Sequence, residues 1–107
     1  MKKLILSALT IAAIGTSANA GCVASGCYSV DIEELLITNT GNIFIATSGS
    51  EASLNCTSPG NVYMVLDANN LGQKAMYSLL LTAKTTGKKA TIRIEEGTSN
   101  CRVSYVK

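Results

Sequence analysis

Apolar and polar positions alternate along the chain in short segments, and their order predicts five β-strands and one helix. The predicted strands are 28–38, 43–47, 62–67, 88–96 and 101–107. The turn at 38–42 holds Gly41 and is typical of a hairpin between the first two strands. A Ser-, Gly- and Asn-rich stretch at 48–61 reads as a loop. The helix falls between the third and fourth predicted strands.

The first of these segments is ambiguous on its own. Glu33, Glu34, Leu35 and Leu36 favour a helix by propensity, whereas the neighbouring β-branched residues and the following turn favour a strand. A hairpin partner favours the strand, and the broken alternation at Glu33-Glu34 predicts a β-bulge there. A helical first segment would give the alternative fold, a three-stranded sheet with helices.

The helix is predicted to begin near Asn69 or Asn70 and to end before Gly87. At 100° per residue, the predicted core face consists of Leu71, Ala75, Leu79 and Ala83, widened by Met76 and Leu80. Tyr77 and Leu81 lie four residues apart among polar positions. Two exposed apolar residues are ordinary on a protein surface, but a contiguous pair also suits a subunit interface.

The element order β-β-β-α-β-β is that of the OB-fold. We therefore predict a mainly β protein with one helix, a single five-stranded OB-fold barrel over residues 21–107.

Residues 1–20 have the anatomy of a secretory signal peptide. Two lysines precede an apolar run at 4–14, and small residues end at Ala20. Cleavage after Ala20 leaves 107 − 20 = 87 residues and predicts a secreted or periplasmic protein. Lipidation of Cys22 is the rival processing route, and it would leave an odd number of cysteines.

The four cysteines indicate two disulfides, because so small a core needs covalent support and export supplies an oxidising compartment. Four cysteines allow three pairings. The short VASG segment between Cys22 and Cys27 favours that bond, which leaves Cys56 to pair with Cys101. The cysteine spacing matches neither a zinc finger nor a CxxC redox motif, so no metal or cofactor is expected.

Charge and composition argue against several function classes. Removing Lys2 and Lys3 leaves 9 − 2 = 7 basic residues against 7 acidic ones, so nucleic acid is not an expected partner. The chain has no histidine for a nucleophile–base pair, and the Glu33-Glu34 and Glu95-Glu96 pairs read as surface charge, so we expect no enzyme. No second apolar run is long enough to span a membrane.

Residues 74–97, KAMYSLLLTAKTTGKKATIRIEEG, resemble the helix-and-strand segment of the B subunits of subtilase cytotoxin and other pertussis-like AB5 toxins. The matching features are a helix ending in Thr85-Thr86-Gly87 and a strand that closes with Glu95 and Gly97. The chain also resembles a wider set of small secreted bacterial OB-fold proteins of unknown function. That second resemblance, which includes a late cysteine like Cys101, is the closer one over residues 61–107.

The toxin resemblance implies a pentameric ring of OB-folds that binds host glycans and carries a catalytic A subunit. In that family a serine after an aromatic residue, early in the first strand, contacts sialic acid, and Tyr28-Ser29 stands in that place. The same resemblance favours Tyr77 and Leu81 as an interface between subunits. Two hypotheses follow: a glycan-binding B-subunit-like component, and a stand-alone secreted OB-fold protein of unknown ligand with no sugar site.

Overall fold

A computed structural model describes residues 21–107, and the predicted signal peptide at 1–20 lies outside the described residues. The described part of the chain forms seven strands and one α-helix. The strands are β1 (Gly21–Val23), β2 (Gly26–Val30), β3 (Ile32–Ile37), β4 (Ile43–Thr47), β5 (Met64–Leu66), β6 (Ala90–Ile94) and β7 (Val103–Val106), and helix α1 spans Gln73–Thr86. Two short 3-10 helices, Glu51–Ser53 and Pro59–Asn61, lie in the loop between β4 and β5.

The strands form two antiparallel sheets, one with the order β1-β2-β6-β7 and one with the order β3-β4-β5. Strands β2 and β3 are separated only by Asp31, so one extended segment contributes to both sheets. The predicted mainly β fold, with its helix between the third and fourth predicted strands, is confirmed. The described strands form two separate sheets and do not close into the predicted five-stranded barrel, because β5 meets the start of the last strand only through an isolated bridge between Val65 and Arg102.

The first segment is extended as predicted, which excludes the alternative with a helix at this position. The pairing of β3 with β4 shifts register between Ile32 and Glu34, so the predicted bulge is present. A bulge places two residues of one strand opposite one residue of its partner and bends the strand. Here it lies at the start of β3, next to the point where the segment passes from one sheet to the other.

The core lies between the two sheets and under the helix. Alternate residues of β4 and of β6 point inward, as their apolar–polar alternation predicted. The largest fully buried apolar side chains are Ile45, Met64, Leu66, Leu80, Ile92, Val30 and Val103. Each such side chain contributes about 1.5–3 kcal/mol relative to remaining exposed.

Helix α1 begins at Gln73, later than predicted, with Gly72 at its N-terminal boundary. Asn70 does not cap the helix; its side-chain oxygen accepts a hydrogen bond from the Gly72 N–H at 2.8 Å in the preceding turn. The helix ends as predicted at Gly87, which has φ 73° and donates its N–H to the Ala83 carbonyl. A left-handed residue is required there to end the helix, and glycine adopts that conformation without steric cost.

The predicted core face of the helix is confirmed only in part, because Ala83, Leu80 and Met76 pack on the core and the other three predicted residues do not. Leu71 lies before the helix and is fully exposed, Ala75 is exposed, and Leu79 is 45% exposed. Only Ala83 of the four predicted residues is buried.

The buried face carries Leu80 and Ala83, with Met76 packed partly against the core, and Tyr77, which was predicted to be exposed, packs beside them. The first turn fixes this rotation, because Gln73 Nε2 donates hydrogen bonds to the carbonyls of Gly41 at 2.8 Å and Leu66 at 3.3 Å. Residues spaced by three and four from Gln73 then face the sheets.

Because of this rotation, the two residues of the predicted interface, Tyr77 and Leu81, lie in different environments. Tyr77 is half-buried against the protein's own core, whereas Leu81 is 40% exposed. The exposed apolar face that motivated the interface is therefore smaller than the sequence indicated.

The two predicted disulfides, Cys22–Cys27 and Cys56–Cys101, are both present. Cys22 and Cys27 lie directly opposite each other on β1 and β2. Lipidation of Cys22 and the Cys22–Cys27 bond exclude each other, because both use the same sulfur atom. No helix among residues 21–107 is long and apolar enough to cross a membrane.

Candidate functional site

Ser29 lies in a β-bulge on the outer side of the four-stranded sheet. The pairing of β2 with β6 shifts register between Cys27 and Val30, and Ser29 has φ 52° within that shift. Its N–H donates to the Thr91 hydroxyl of β6 at 3.3 Å. A non-glycine residue in the left-handed region costs free energy and is seldom found outside turns and functional sites. The bulge leaves the Ser29 side chain exposed, and within residues 21–107 its hydroxyl has no hydrogen-bond partner.

Tyr28 is oriented by a contact of its own. The side chain is half-buried, and its hydroxyl lies 2.7 Å from Ser25 Oγ. This hydrogen bond fixes the ring against the hairpin of β1 and β2, so the hydroxyl is already engaged within the chain. Tyr28 can therefore offer a ligand the exposed part of its ring more readily than its hydroxyl.

Three further side chains on the outer side of this sheet were not identified as site residues from the sequence. Thr91 and Arg93 alternate with the buried residues of β6, so they point away from the core. Tyr105 pairs with Arg93 from the neighbouring strand β7 and is 41% exposed. The outer surface thus carries two tyrosines, an arginine and two hydroxyl side chains, which we call the Ser29 surface: Tyr28, Ser29, Thr91, Arg93 and Tyr105.

Tyr105 illustrates why this surface was missed. Strict alternation along β7 predicts that Tyr105 shares a face with buried Val103. The pairing of β6 with β7 shifts register between Arg93 and Ile94, however, and Val106 is half-buried where Tyr105 was expected. A register shift of one residue reverses every side chain beyond it.

The Ser29 surface is bordered by an exposed ion pair. Lys89 Nζ lies 3.0 Å from Asp31 Oδ2, and their side chains are 61% and 48% exposed. Exposed pairs of this kind contribute little stability, typically about 0–1 kcal/mol. The pair joins the start of β6 to the Asp31 junction and leaves both charges accessible to a polar ligand.

A concave region lies beyond the far end of β6, apart from the Ser29 surface. Two adjoining depressions of about 220 and 230 Å³ share Asp67 and Arg102. The remaining lining residues are Asn69, Asn70, Glu95, Thr98, Ser99 and Asn100. Arg102 Nε lies 3.4 Å from Glu95 Oε1, so the two charges partly neutralise each other. This groove is polar and has no aromatic lining, and nothing in the sequence pattern indicated it.

One phenol in the three-stranded sheet is electrostatically perturbed. The Tyr63 hydroxyl donates a hydrogen bond to Glu34 Oε1 at 2.9 Å, and its ring packs edge-on against Phe44 with centroids 5.5 Å apart. The hydrogen bond to Glu34, with smaller effects of desolvation and of the carboxylate charge, raises the pKa of Tyr63. The contact joins β3 to the start of β5 and keeps the phenol neutral.

Comparison of the chain with protein-family models, with curated proteins and with solved structures finds no significant match.

Proposed function

We propose that this chain is a secreted, non-catalytic glycan-binding protein, a B-subunit-like component of a toxin-type assembly. The observation that carries the proposal is Ser29, whose hydroxyl is unpaired within residues 21–107 and is held outward by a bulge beside Thr91, on the same outer side of the sheet as Arg93 and Tyr105. Ser29 and Tyr105 are exposed, and Thr91 and Arg93 are half-buried. Hydroxyl, guanidinium and tyrosyl groups on one face of a sheet are the chemistry that binds hydroxyl and carboxylate groups of a sialylated sugar. Sheet-borne groups hold a ligand more accurately than loop-borne ones.

The order of strand neighbours supports an open barrel of the OB type. The β2–β3 segment pairs with β4 at one end and with β6 at the other, and β4 and β6 pair in turn with β5 and β7. An isolated parallel bridge between Val65 and Arg102 makes β5 a neighbour of the start of the last strand. In this contact the Val65 N–H donates to the Cys101 carbonyl at 3.1 Å. These relations follow the neighbour order expected of OB-type strands, with β1 as an addition.

Export is part of the proposal and is supported by the two disulfides. Disulfides of this structural kind persist in secreted and periplasmic proteins and are rare where the cytosol keeps thiols reduced. The non-catalytic assignment is supported by the sequence, which holds no histidine as a general base.

Glycan binding is tested on an array of sialylated and non-sialylated glycans with the exported, disulfide-bonded protein. Ser29→Ala removes the hydroxyl, and Ser29→Gly removes it while relieving the left-handed conformation. We expect both variants to lose about tenfold or more in affinity, equivalent to about 1.4 kcal/mol, with no fall in thermal stability for Ser29→Gly. Ser78→Ala, at an exposed helix position remote in sequence from the bulge, is the matched control and should bind as wild type.

Two results would remove the proposal. If the wild-type protein binds no glycan on the array, the hypothesis of a stand-alone protein with no sugar site is favoured. Binding that is equal in wild type and in both Ser29 variants would show that any sugar site lies elsewhere.

Assembly into a ring is the second component of the proposal. With Tyr77 packed inward, the exposed apolar side chains include Leu81, 40% exposed, and Leu36 and Ile37 on the edge strand β3, 42% and 55% exposed. An exposed strand edge with apolar side chains is a template for pairing with another chain. We propose that a second copy of this protein covers these positions in a closed homo-oligomer, a pentamer by the toxin resemblance.

Light scattering on the wild type and on Leu81→Ser and Ile37→Lys variants tests the ring. We expect a wild-type oligomer that both variants weaken without unfolding, because neither side chain belongs to the core. A wild-type monomer at high concentration contradicts the ring and favours the stand-alone alternative. The half-buried position of Tyr77 is the observation that favours this alternative, because packing on its own core leaves only Leu81 of the predicted interface pair exposed.

A further inference from the structure

A cluster of potential metal ligands lies inside the hairpin of β1 and β2, apart from the Ser29 surface. Cys22, Cys27 and Glu51 each place one ligand atom within 4.8 Å of the others. Cys27 is fully buried and Glu51 is only 4% exposed, whereas Cys22 is half-buried. The cluster is therefore nearly enclosed, with access from solvent on the Cys22 side.

Glu51 is a buried carboxylate without a cation. Its Oε2 accepts hydrogen bonds from the Thr47 N–H at 2.7 Å and from the Thr47 hydroxyl at 2.6 Å. The ion pairs among residues 21–107 join Lys89 to Asp31 and Arg102 to Glu95, so neither involves Glu51. Burying a carboxylate is costly unless a positive charge or full hydrogen bonding compensates. A cation beside Glu51 would supply that compensation.

The loop from Thr47 to Glu51 is built closely around Cys22. A Cβ atom at Gly49 would lie 2.7 Å from Cys22 Sγ and 3.1 Å from Cys22 N, so only glycine fits. The Gly49 N–H donates to Thr47 Oγ1 at 3.1 Å, and this oxygen lies 3.9 Å from Cys22 Sγ. The loop therefore holds one carboxylate and one hydroxyl against the sulfur atoms.

We propose that reduction of the Cys22–Cys27 disulfide creates a site for a thiophilic divalent cation such as Zn²⁺, with both cysteine thiolates and the Glu51 carboxylate as ligands. A dithiol reductant converts the disulfide to two thiols and is itself oxidised to its disulfide. The cation then displaces the two thiol protons as it binds. The disulfide and the metal site exclude each other, so the redox state decides whether the cation binds.

The geometry suits this cation class. The two cysteines lie directly opposite each other with Cα atoms 3.9 Å apart, so both side chains leave the hairpin on the same face. Tetrahedral zinc holds two thiolates at about 2.3 Å and a carboxylate oxygen at about 2.0–2.2 Å. A water molecule would complete the four ligands. The cysteine spacing alone did not indicate the site, because Glu51 reaches it only through the folded loop.

The test is titration of the full disulfide-bonded chain with Co²⁺, a spectroscopic substitute for zinc, and then with Zn²⁺, before and after treatment with a dithiol. Reduction is kept partial so that the Cys56–Cys101 bond stays closed. Peptide mapping after alkylation identifies which disulfide has opened. Glu51→Gln removes the charge while keeping an oxygen to accept the Thr47 hydrogen bonds. Glu33→Gln, at an exposed carboxylate outside the cluster, is the matched control.

We expect no binding by the oxidised protein. The reduced protein should bind about one ion, release about two protons, develop thiolate-to-cobalt absorption and protect Cys22 and Cys27 from alkylation. Because loss of an outer-shell partner already costs about 10–100-fold in metal affinity, Glu51→Gln should weaken binding at least tenfold, with Glu33→Gln unchanged. Equal affinity for the cation in wild type and Glu51→Gln overturns the proposal. This result is also the one expected if the reduced chain unfolds and binds the cation through its thiols alone. Failure of the reduced wild type to bind, or protection of Cys56 and Cys101 instead, overturns it as well.

Discussion

The neighbouring leucines at positions 79 and 80 of helix α1 provide a direct test of how the helix is rotated. The sequence pattern places Leu79 in the main stripe of the core face and Leu80 at its border, whereas in the structure Leu80 is fully buried and Leu79 is 45% exposed. Substituting each by alanine makes the same chemical change one residue apart. The two variants therefore serve as matched controls for each other.

The expected effects differ severalfold. Leu→Ala deletes three carbon atoms, worth about 2.4 kcal/mol at about 0.8 kcal/mol per buried methylene, and a cavity in the closed core raises the cost for Leu80→Ala to about 3–4 kcal/mol. Leu79 has 55% of its surface buried (100 − 45), so the same deletion costs about 1.3 kcal/mol. Water fills the space it leaves, and the higher helix propensity of alanine reduces the net cost to about 1 kcal/mol.

Equilibrium unfolding in urea, followed by far-ultraviolet circular dichroism with both disulfides intact, measures the two changes. The slope of the free energy of unfolding against urea concentration should be the same in both variants as in the wild type. An unchanged slope means that the substitutions alter stability and not the compactness of the denatured state. Equal destabilisation by the two substitutions, or a larger effect of Leu79→Ala, would refute the helix orientation described above.

The remaining predictions concern single contacts. Gln73→Ala should destabilise the protein by about 1–2 kcal/mol in the same unfolding assay, because it removes the donor that satisfies the Gly41 and Leu66 carbonyls; no change would mean that these bonds do not orient the helix. Replacing Cys56 and Cys101 by serine should cost about 4 kcal/mol and replacing Cys22 and Cys27 about 2 kcal/mol, since the bonds span 45 and 5 residues in the chain-entropy model; the reverse order would contradict it. The raised pKa of Tyr63 favours the neutral phenol in the folded state, so the stability it contributes is fully present below the ordinary tyrosine pKa of about 10 and is lost as the pH rises through the folded-state value. A phenolate absorbance titration should show Glu34→Ala, which removes both the acceptor and the charge, lowering the pKa of Tyr63, and an identical midpoint in the variant would exclude Glu34 as the main cause.

Local pattern in the sequence was sufficient for the positions of most elements. Alternation located the strands around Ile45 and Ile92 because a strand with one buried face shows its period of two directly. Gly87 located the end of the helix because the left-handed conformation there favours glycine. The bulge at Ile32 to Glu34 was visible as a break in alternation, and the Cys22–Cys27 bond as a short flexible spacing.

Only the tertiary structure decided how those elements face one another. The rotation of the helix depends on Gln73 reaching carbonyls at Gly41 and Leu66, which are up to 32 residues away in the chain. Tyr105 points outward because of a register shift against β6, and Glu51 meets the Cys22–Cys27 bond because its loop folds back on the hairpin. A pattern along the sequence reports whether a residue is apolar and how often such residues recur. It does not report which distant group the residue meets, and those contacts set the outer surface, the polar groove and the thiol–carboxylate cluster.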